Sequence, residues 1–583
     1  MKVAVVVQRY GADINGGAEL HARYIAEHLA KHVAVEVLTT CARDYISWAN
    51  DYAPGATREA GVEVRRFPVS RTRSPQDFGA WSRRVFDAPH SVNDELAWLE
   101  AEGPTSPALI RHLTERQADY DFVLFFSMRY YHAWHGARAV PDKAILVPTA
   151  ERDEVLGLEI FKPILRGVRA CMYNSPEERA LLTAMAGRDD VPGVVVGVGS
   201  ELPDDADGER FRRRTGIDGR TAIYIGRIDE NKGCAELFDF WKRYSEITPG
   251  GLTLVLIGTP VLPVPDHPRI RHLGFVSDQE KYDALQAAEF LIMPSYFESL
   301  SMVALEAWGM GKPVLANGRC DVLRGQAMRS NAGLYYESYP EFVEAVRVLE
   351  GSAATAAALG RNGRRFFQTH YAWPIVEKKY LDMFARLKTE PAADRAGRSM
   401  EALPGWWRRR QRSLPPAREV LARLPAGPVR TDAARADRVG AERRSPAAPA
   451  PLAARPSVAV PAERSARPPR GEEHGRPEQQ TRGDRSERSG RPDRGDRSDR
   501  GHRGDRGDRR GRPDGRERHD RDRERGRRGA TPPQKPPDAA PAAGNGATPP
   551  SRPSQPGQPG QPRGRGRSRR GRGPRRPAGA QEK

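Results

Sequence analysis

The hydrophobic positions of this chain fall in short, unbroken runs rather than in alternation. Val3–Val7, Val33–Leu38, Phe122–Phe126, Ala144–Val147 and Gly193–Val196 form one set. Ala222–Ile225, Leu252–Ile257, Phe290–Met293 and Pro313–Ala316 form a second. Continuous apolarity marks strands buried on both faces, as in a parallel sheet covered by helices. Between the runs the period lengthens towards 3.6, with Leu20, Tyr24, Ile25 and Leu29 on one helix face. Strand alternating with helix predicts doubly wound α/β architecture. The pattern breaks at the Gly- and acid-rich stretch 197–207 and restarts at Thr221. Two domains follow, 1–198 and 199–365, with a ligand cleft at the facing carboxyl ends of their strands.

Composition changes the picture past Lys388. Residues 366–388 close the ordered part. Residues 389–424 read as a linker with one island, Trp406-Trp407 beside Arg408–Arg410, and a short helical stretch to Leu424. Residues 425–583 are Pro, Arg, Gly, Asp and Ala with no Phe, Tyr or Trp. Such a segment cannot bury enough apolar surface to offset its ordering entropy, so a disordered tail is expected. The charge divides the same way. Residues 1–390 hold 47 Lys+Arg against 52 Asp+Glu, whereas residues 391–583 hold 48 against 24. The basic character therefore belongs to the tail. Its charge suits non-specific contact with anions, but without aromatic rings to stack on bases, dedicated nucleic-acid recognition is disfavoured.

Cys41, Cys171, Cys234 and Cys320 are far apart, with no metal-binding spacing, and read as reduced buried thiols. No metal site is expected. The apolar start stops at Gln8, too soon for a signal-peptide core, and no run approaches the roughly 18 residues of a membrane span. A cytoplasmic protein is expected. Trp406 and Trp407 beside clustered Arg suggest contact with the inner face of an anionic membrane.

Three motifs carry candidate chemistry. Gly11-Ala-Asp-Ile-Asn-Gly-Gly-Ala-Glu19 follows the first strand and opens a helix. There Gly16 and Gly17 admit close backbone approach, and the helix N-terminus favours an anion. In Ile225-Gly-Arg-Ile-Asp-Glu-Asn-Lys-Gly233, Gly226 begins a turn that sets Arg227 and Lys232 at its two ends. Fixed cations there can stabilise a diphosphate as it departs. In Pro294–Glu306, Glu298 precedes a helix and Glu306 lies inside it, so each meets a different part of an extended ligand. The N–H groups near Ser299 are offered to phosphate.

Taken together and in this order, the motifs over residues 1–388 resemble the retaining glycosyltransferases of family 4, with the GT-B fold of two Rossmann-like domains facing a cleft. The resemblance implies a nucleotide-sugar substrate, no required cofactor, and transfer of a hexose to a glycan or lipid-linked acceptor in polysaccharide or glycolipid synthesis. It implies that Arg227 and Lys232 hold the donor diphosphate, that Glu298 meets the donor sugar, and that Glu306 binds the ribose. The N–H groups of Leu300 and Ser301 would cradle phosphate, Phe275 and Val276 would face the base, and residues 366–388 with Trp373 would be the C-terminal helices that cross back to the first domain. Family members commonly carry a His at the cleft-facing strand end where this chain has Glu151, within Pro148-Thr-Ala-Glu-Arg-Asp-Glu154. Glu151 is then a candidate acceptor of sugar hydroxyls, with His132 and His135 as further candidates nearby. Rival readings are another GT-B activity, such as a nucleotide-sugar 2-epimerase or a phosphorylase, or a scaffold acting through the basic tail.

Overall fold

The computed structural model describes residues 1–14, 16–391 and 398–429. The expected tail lies, from residue 430 on, outside the described residues. The first sheet contains β1 (Lys2–Val6), β2 (Ala34–Thr40), β3 (Gly55–Glu59), β4 (Val62–Phe67), β5 (Phe122–Phe126), β6 (Ala144–Val147), β7 (Ala170–Tyr173) and β8 (Gly193–Val195). Their order is β3-β4-β2-β1-β5-β6-β7-β8, and every pairing is parallel except β3 with β4. The second sheet holds β9 (Thr221–Ile225), β10 (Thr253–Ile257), β11 (Ile270–His272), β12 (Phe290–Met293), β13 (Val314–Asn317) and β14 (Gly333–Tyr336). It is wholly parallel, in the order β11-β10-β9-β12-β13-β14.

Each apolar run falls on a strand, within a residue or two at its ends. β1, β5, β6 and β12 are buried along almost their whole length because helices cover both faces. β3 and β4 escape the pattern: β4 alternates buried and exposed positions, and β3 is an exposed edge. In both sheets the strand order reverses between neighbours, β1/β5 and β9/β12, which opens a crevice at their carboxyl ends.

Helices Ala353–His370 and Trp373–Thr389 end the second domain and return to the first. Phe384 stacks on Phe122 of β5, Trp373 stacks on His28, and the Arg169 guanidinium donates to the Leu387 carbonyl at 2.6 Å. This is the crossover the sequence predicts. The stretch expected to be a linker is instead built into the first domain. Leu414 pairs with His90, Ala417 is fully buried, and Leu403, Leu421 and Leu424 pack on the first-domain core. An added Cβ at Gly157 would overlap the Ala417 backbone, so these two segments meet without a gap. The helix Trp406–Arg410 leaves Trp406 and Trp407 58% and 69% exposed.

Candidate active site

The cleft between the domains has a volume of about 750 Å³ and is walled by the turns after β1, β5, β6, β9 and β12. Gly16, Gly17, Glu151, Gly226, Arg227, Lys232, Glu298, Leu300, Ser301 and Glu306 all line it. Phe275 and Val276 do not; Phe275 is 67% exposed, and Val276 packs against the core.

Sharp turns bring the second-domain motifs together. Gly226 has φ 154°, and a Cβ on Gly258 of the neighbouring strand end would overlap the Gly226 carbonyl. Gly233 has φ 71°, and its Cβ would fall 2.0 Å from the Pro294 carbonyl oxygen. Only glycine lets the turn after β9 settle on the end of β12 in this way. Lys232 Nζ consequently lies 2.7 Å from Glu298 Oε1. Burial pulls the Lys232 ammonium down, but the carboxylates of Glu298 and Glu151 outweigh it, so it is held more firmly protonated than a free lysine. Burial also lifts Glu151 above the ordinary carboxylate range, with Glu298 adding to the rise and Lys232 opposing it. Arg227 bonds Asp229 and reaches across the cleft to the Tyr45 hydroxyl at 3.3 Å.

The helix Met302–Gly309 starts at Ser301, whose hydroxyl accepts from Ala304 N–H at 3.3 Å. The N–H groups of Leu300 and Ser301 find no acceptor among the described residues. A helix N-terminus with free N–H groups binds anions. One turn inside, Glu306 is 3% exposed. Its Oε1 accepts from Lys281 at 3.0 Å and Tyr282 at 3.2 Å, while its buried Oε2 has no partner. Such an oxygen is costly unless a ligand donates to it.

The first-domain wall adds residues that the motifs did not single out. Arg9 is paired with Glu19 at 2.6 Å. His21 is held against Phe126, and burial takes its imidazole down to about 3, so it is neutral. The Glu178 carboxyl bridges two strand ends, accepting from Ala150 N–H at 2.6 Å and Asn174 N–H at 2.5 Å. Burial raises it to about 8 against those two bonds. Six non-glycine residues among those described have positive φ, and Ser127, Thr149 and Ser301 of these line the cleft. Backbone held in rare conformations gathers at ligand sites. These contributions come from separate loops and share no local spacing, so no short motif announces them. His132 and His135 stay outside the cleft: His132 is buried against the Phe126 carbonyl and shifted down to about 4 by burial, and His135 pairs with Glu100. No group of three or more metal-ligating side chains occurs among the described residues, and all four cysteines are buried and free.

Residues 219–350, the core of the second domain, match the family described as glycosyl transferases group 1. In that stretch the chain is similar in sequence to glycosyltransferases. A D-inositol 3-phosphate glycosyltransferase of Geodermatophilus obscurus is 22% identical over 441 residues, covering 68% of this chain and 89% of its relative. A mannosylfructose-phosphate synthase of Agrobacterium fabrum is 25% identical over 127 residues, so there this chain spans only 28% of the relative's length and 19% of its own. Among solved structures, trehalose-6-phosphate from E. coli bound with UDP-2-fluoro glucose superposes with a TM-score of 0.51 at 12% identity, covering 67% of this chain and all of that one. The two-domain GT-B fold is thus common to both. No described helix is long and apolar enough to cross a membrane.

Proposed function

We propose that this protein is a glycosyltransferase that moves a hexose from a nucleotide-sugar donor to a hydroxyl of a glycan or lipid-linked acceptor, with retention of configuration and without a metal ion. The observation that carries the reading is the convergence of Arg227, Lys232, Glu298, Glu306 and the free N–H groups of Leu300 and Ser301 on one cleft. The ribose hydroxyls would satisfy the vacant Glu306 Oε2. The diphosphate would lie between the helix N-terminus and the two cations, leaving the sugar against Glu298. The acceptor oxygen then bonds to the anomeric carbon as the bond from that carbon to the phosphate oxygen breaks. Both events occur on the same face, and the departing phosphate oxygen takes the acceptor's proton. Charge gathers on the diphosphate at that moment, so Arg227 and Lys232 stabilise the transition state more than the bound donor. In this reading Glu151 accepts from sugar hydroxyls, Gly16 and Gly17 leave room for the ligand, and Phe275 and Val276 stand beside the base only after local movement.

The relatives are named for inositol 3-phosphate and mannosylfructose phosphate, so phosphorylated polyols belong in an acceptor panel. The test is incubation with nucleotide sugars and that panel, following nucleoside diphosphate release and the anomeric proton of the product by NMR, with and without EDTA. Retained configuration and unchanged rate in EDTA are expected. Conversion of the donor into its C2 epimer with no glycoside formed, as a 2-epimerase would give, sinks the reading.

Exposed Trp406 and Trp407 beside Arg408–Arg410 support docking on an anionic membrane. Co-sedimentation of the full chain with phosphatidylglycerol vesicles should weaken in the double Trp→Ala variant. Equal binding by both proteins defeats this part.

A further inference from the structure

A second cavity of about 250 Å³ adjoins the main cleft, and the two share Ala150 and Glu298 in their walls. Residues 425–429 form one side of it. They are fixed at both ends. Arg152 donates to the carbonyls of Leu424, at 3.1 Å, and Pro425. Val429 N–H donates to Glu177 Oε1 at 2.9 Å, and its carbonyl accepts from Arg329 at 3.0 Å. Glu177 lies on the first-domain helix Pro176–Ala186 and Arg329 on the second-domain helix Asp321–Ser330. The segment thus closes the cavity across the domain boundary.

The facing wall has the chemistry of a sugar subsite. Phe297 presents a ring 36% exposed, and Tyr296 carries Arg319 over its face at 5.1 Å. The Asp321 carboxylate makes no hydrogen bond among the described residues, and Glu298 bonds Lys232 through Oε1 alone. A pyranose ring has an apolar C–H face that packs on an aromatic ring and hydroxyls that donate to carboxylates. The two guanidiniums in its wall are engaged, Arg152 with the Leu424 and Pro425 carbonyls and Arg319 with Glu236, so a second phosphate finds no unpaired cation among the described lining residues. Its volume is below the roughly 300–1,000 Å³ of drug-sized pockets, which suits one sugar ring rather than a nucleotide.

We propose that this cavity is a distal acceptor subsite: it holds the non-reacting ring of a saccharide acceptor whose reacting hydroxyl lies in the main cleft. The acceptor passes beside Ala150 and Glu298, the residues the two walls have in common, so one end meets the donor sugar while the other rests on Phe297. The proposal rests on the glycosyl-transfer reading above.

The test uses the full chain saturated with UDP and saturation-transfer NMR with methyl hexopyranosides and their methyl disaccharides. The disaccharide that binds best should bind about tenfold more tightly than its monosaccharide. Phe297→Ala, which removes the platform, and Ala180→Trp, which fills the cavity, should each abolish that advantage. Monosaccharide and UDP affinities should stay as in the wild type, which also reports that both variants fold. Equal affinity for mono- and disaccharide, disaccharide binding unaltered in both variants, or no saccharide binding by a protein that binds UDP overturns the subsite. Failure of the wild type to bind any nucleoside diphosphate or nucleotide sugar strikes instead at the glycosyl-transfer reading.

Discussion

Lys232 and Glu298, 66 residues apart, meet at 2.7 Å because Gly233 allows the turn after β9 to rest on the carbonyl of Pro294. The pair holds a neutralised ammonium in the cleft, where the proposed reading has it meet the donor diphosphate. Lys232→Ala should lower kcat by about 10²–10³-fold, the size of effect seen when a transition-state donor is removed. Glu298→Gln should also slow transfer, and the double variant should fall short of the product of the two single losses, because the residues act together. Initial rates of diphosphate release for the four proteins provide the measurement.

Glu306 should act on affinity. A charged hydrogen bond is worth about 1.5–3 kcal/mol, so Glu306→Ala should weaken UDP by at least tenfold in calorimetry. Inorganic pyrophosphate, which has no ribose, should bind the variant as it binds the wild type. A parallel loss for both ligands would place Glu306 in a purely structural role.

Glu178 makes stability depend on pH. Its folded carboxyl is raised to about 8 from an ordinary value of 4.5, so the folded state binds more protons between those values. Its contribution to stability is fully present below pH 4.5 and is lost as pH rises through 8. At the 1.36 kcal/mol equivalent to one pKa unit, the change is on the order of 4 kcal/mol. Urea unfolding at pH 5 and pH 8 should show the wild type losing stability as pH rises. Glu178→Gln should be nearly flat, and less stable than the wild type at pH 5 because one of the two N–H bonds to Ala150 and Asn174 is lost.

Gly233→Ala should destabilise the second domain by about 2–4 kcal/mol, since the new Cβ meets a carbonyl oxygen in left-handed backbone. Thermal unfolding reads this directly. Gly17→Ala is the control: a Cβ there meets nothing within 4 Å, so the melting temperature should hold. Donor affinity should fall if the ligand uses that space.

The pattern of the chain determined much of this on its own. Strands buried on both faces must be apolar throughout, so the runs from Val3 to Ala316 mark nine of the described strands, though not the parallel β7, β11 and β14, and motif residues just after them must lie at strand ends. That is why Arg227, Lys232, Glu298 and Glu306 line the cleft. Strand β3 was illegible because an exposed edge carries no burial signal, and β4 because only one of its faces is buried. Residues 389–424 were read as a linker and 425–429 as the start of the tail, because no long apolar run marks them. Yet a few side chains, with Ala417 at the centre, suffice to fix them once a surface of fitting shape exists. The pairing of Arg227 with Tyr45, the bridge made by Glu178, the exposure of Phe275 and the wall of the second cavity were decided by tertiary structure alone. Periodicity records how an element is buried, whereas sheet order and packing decide which distant elements meet.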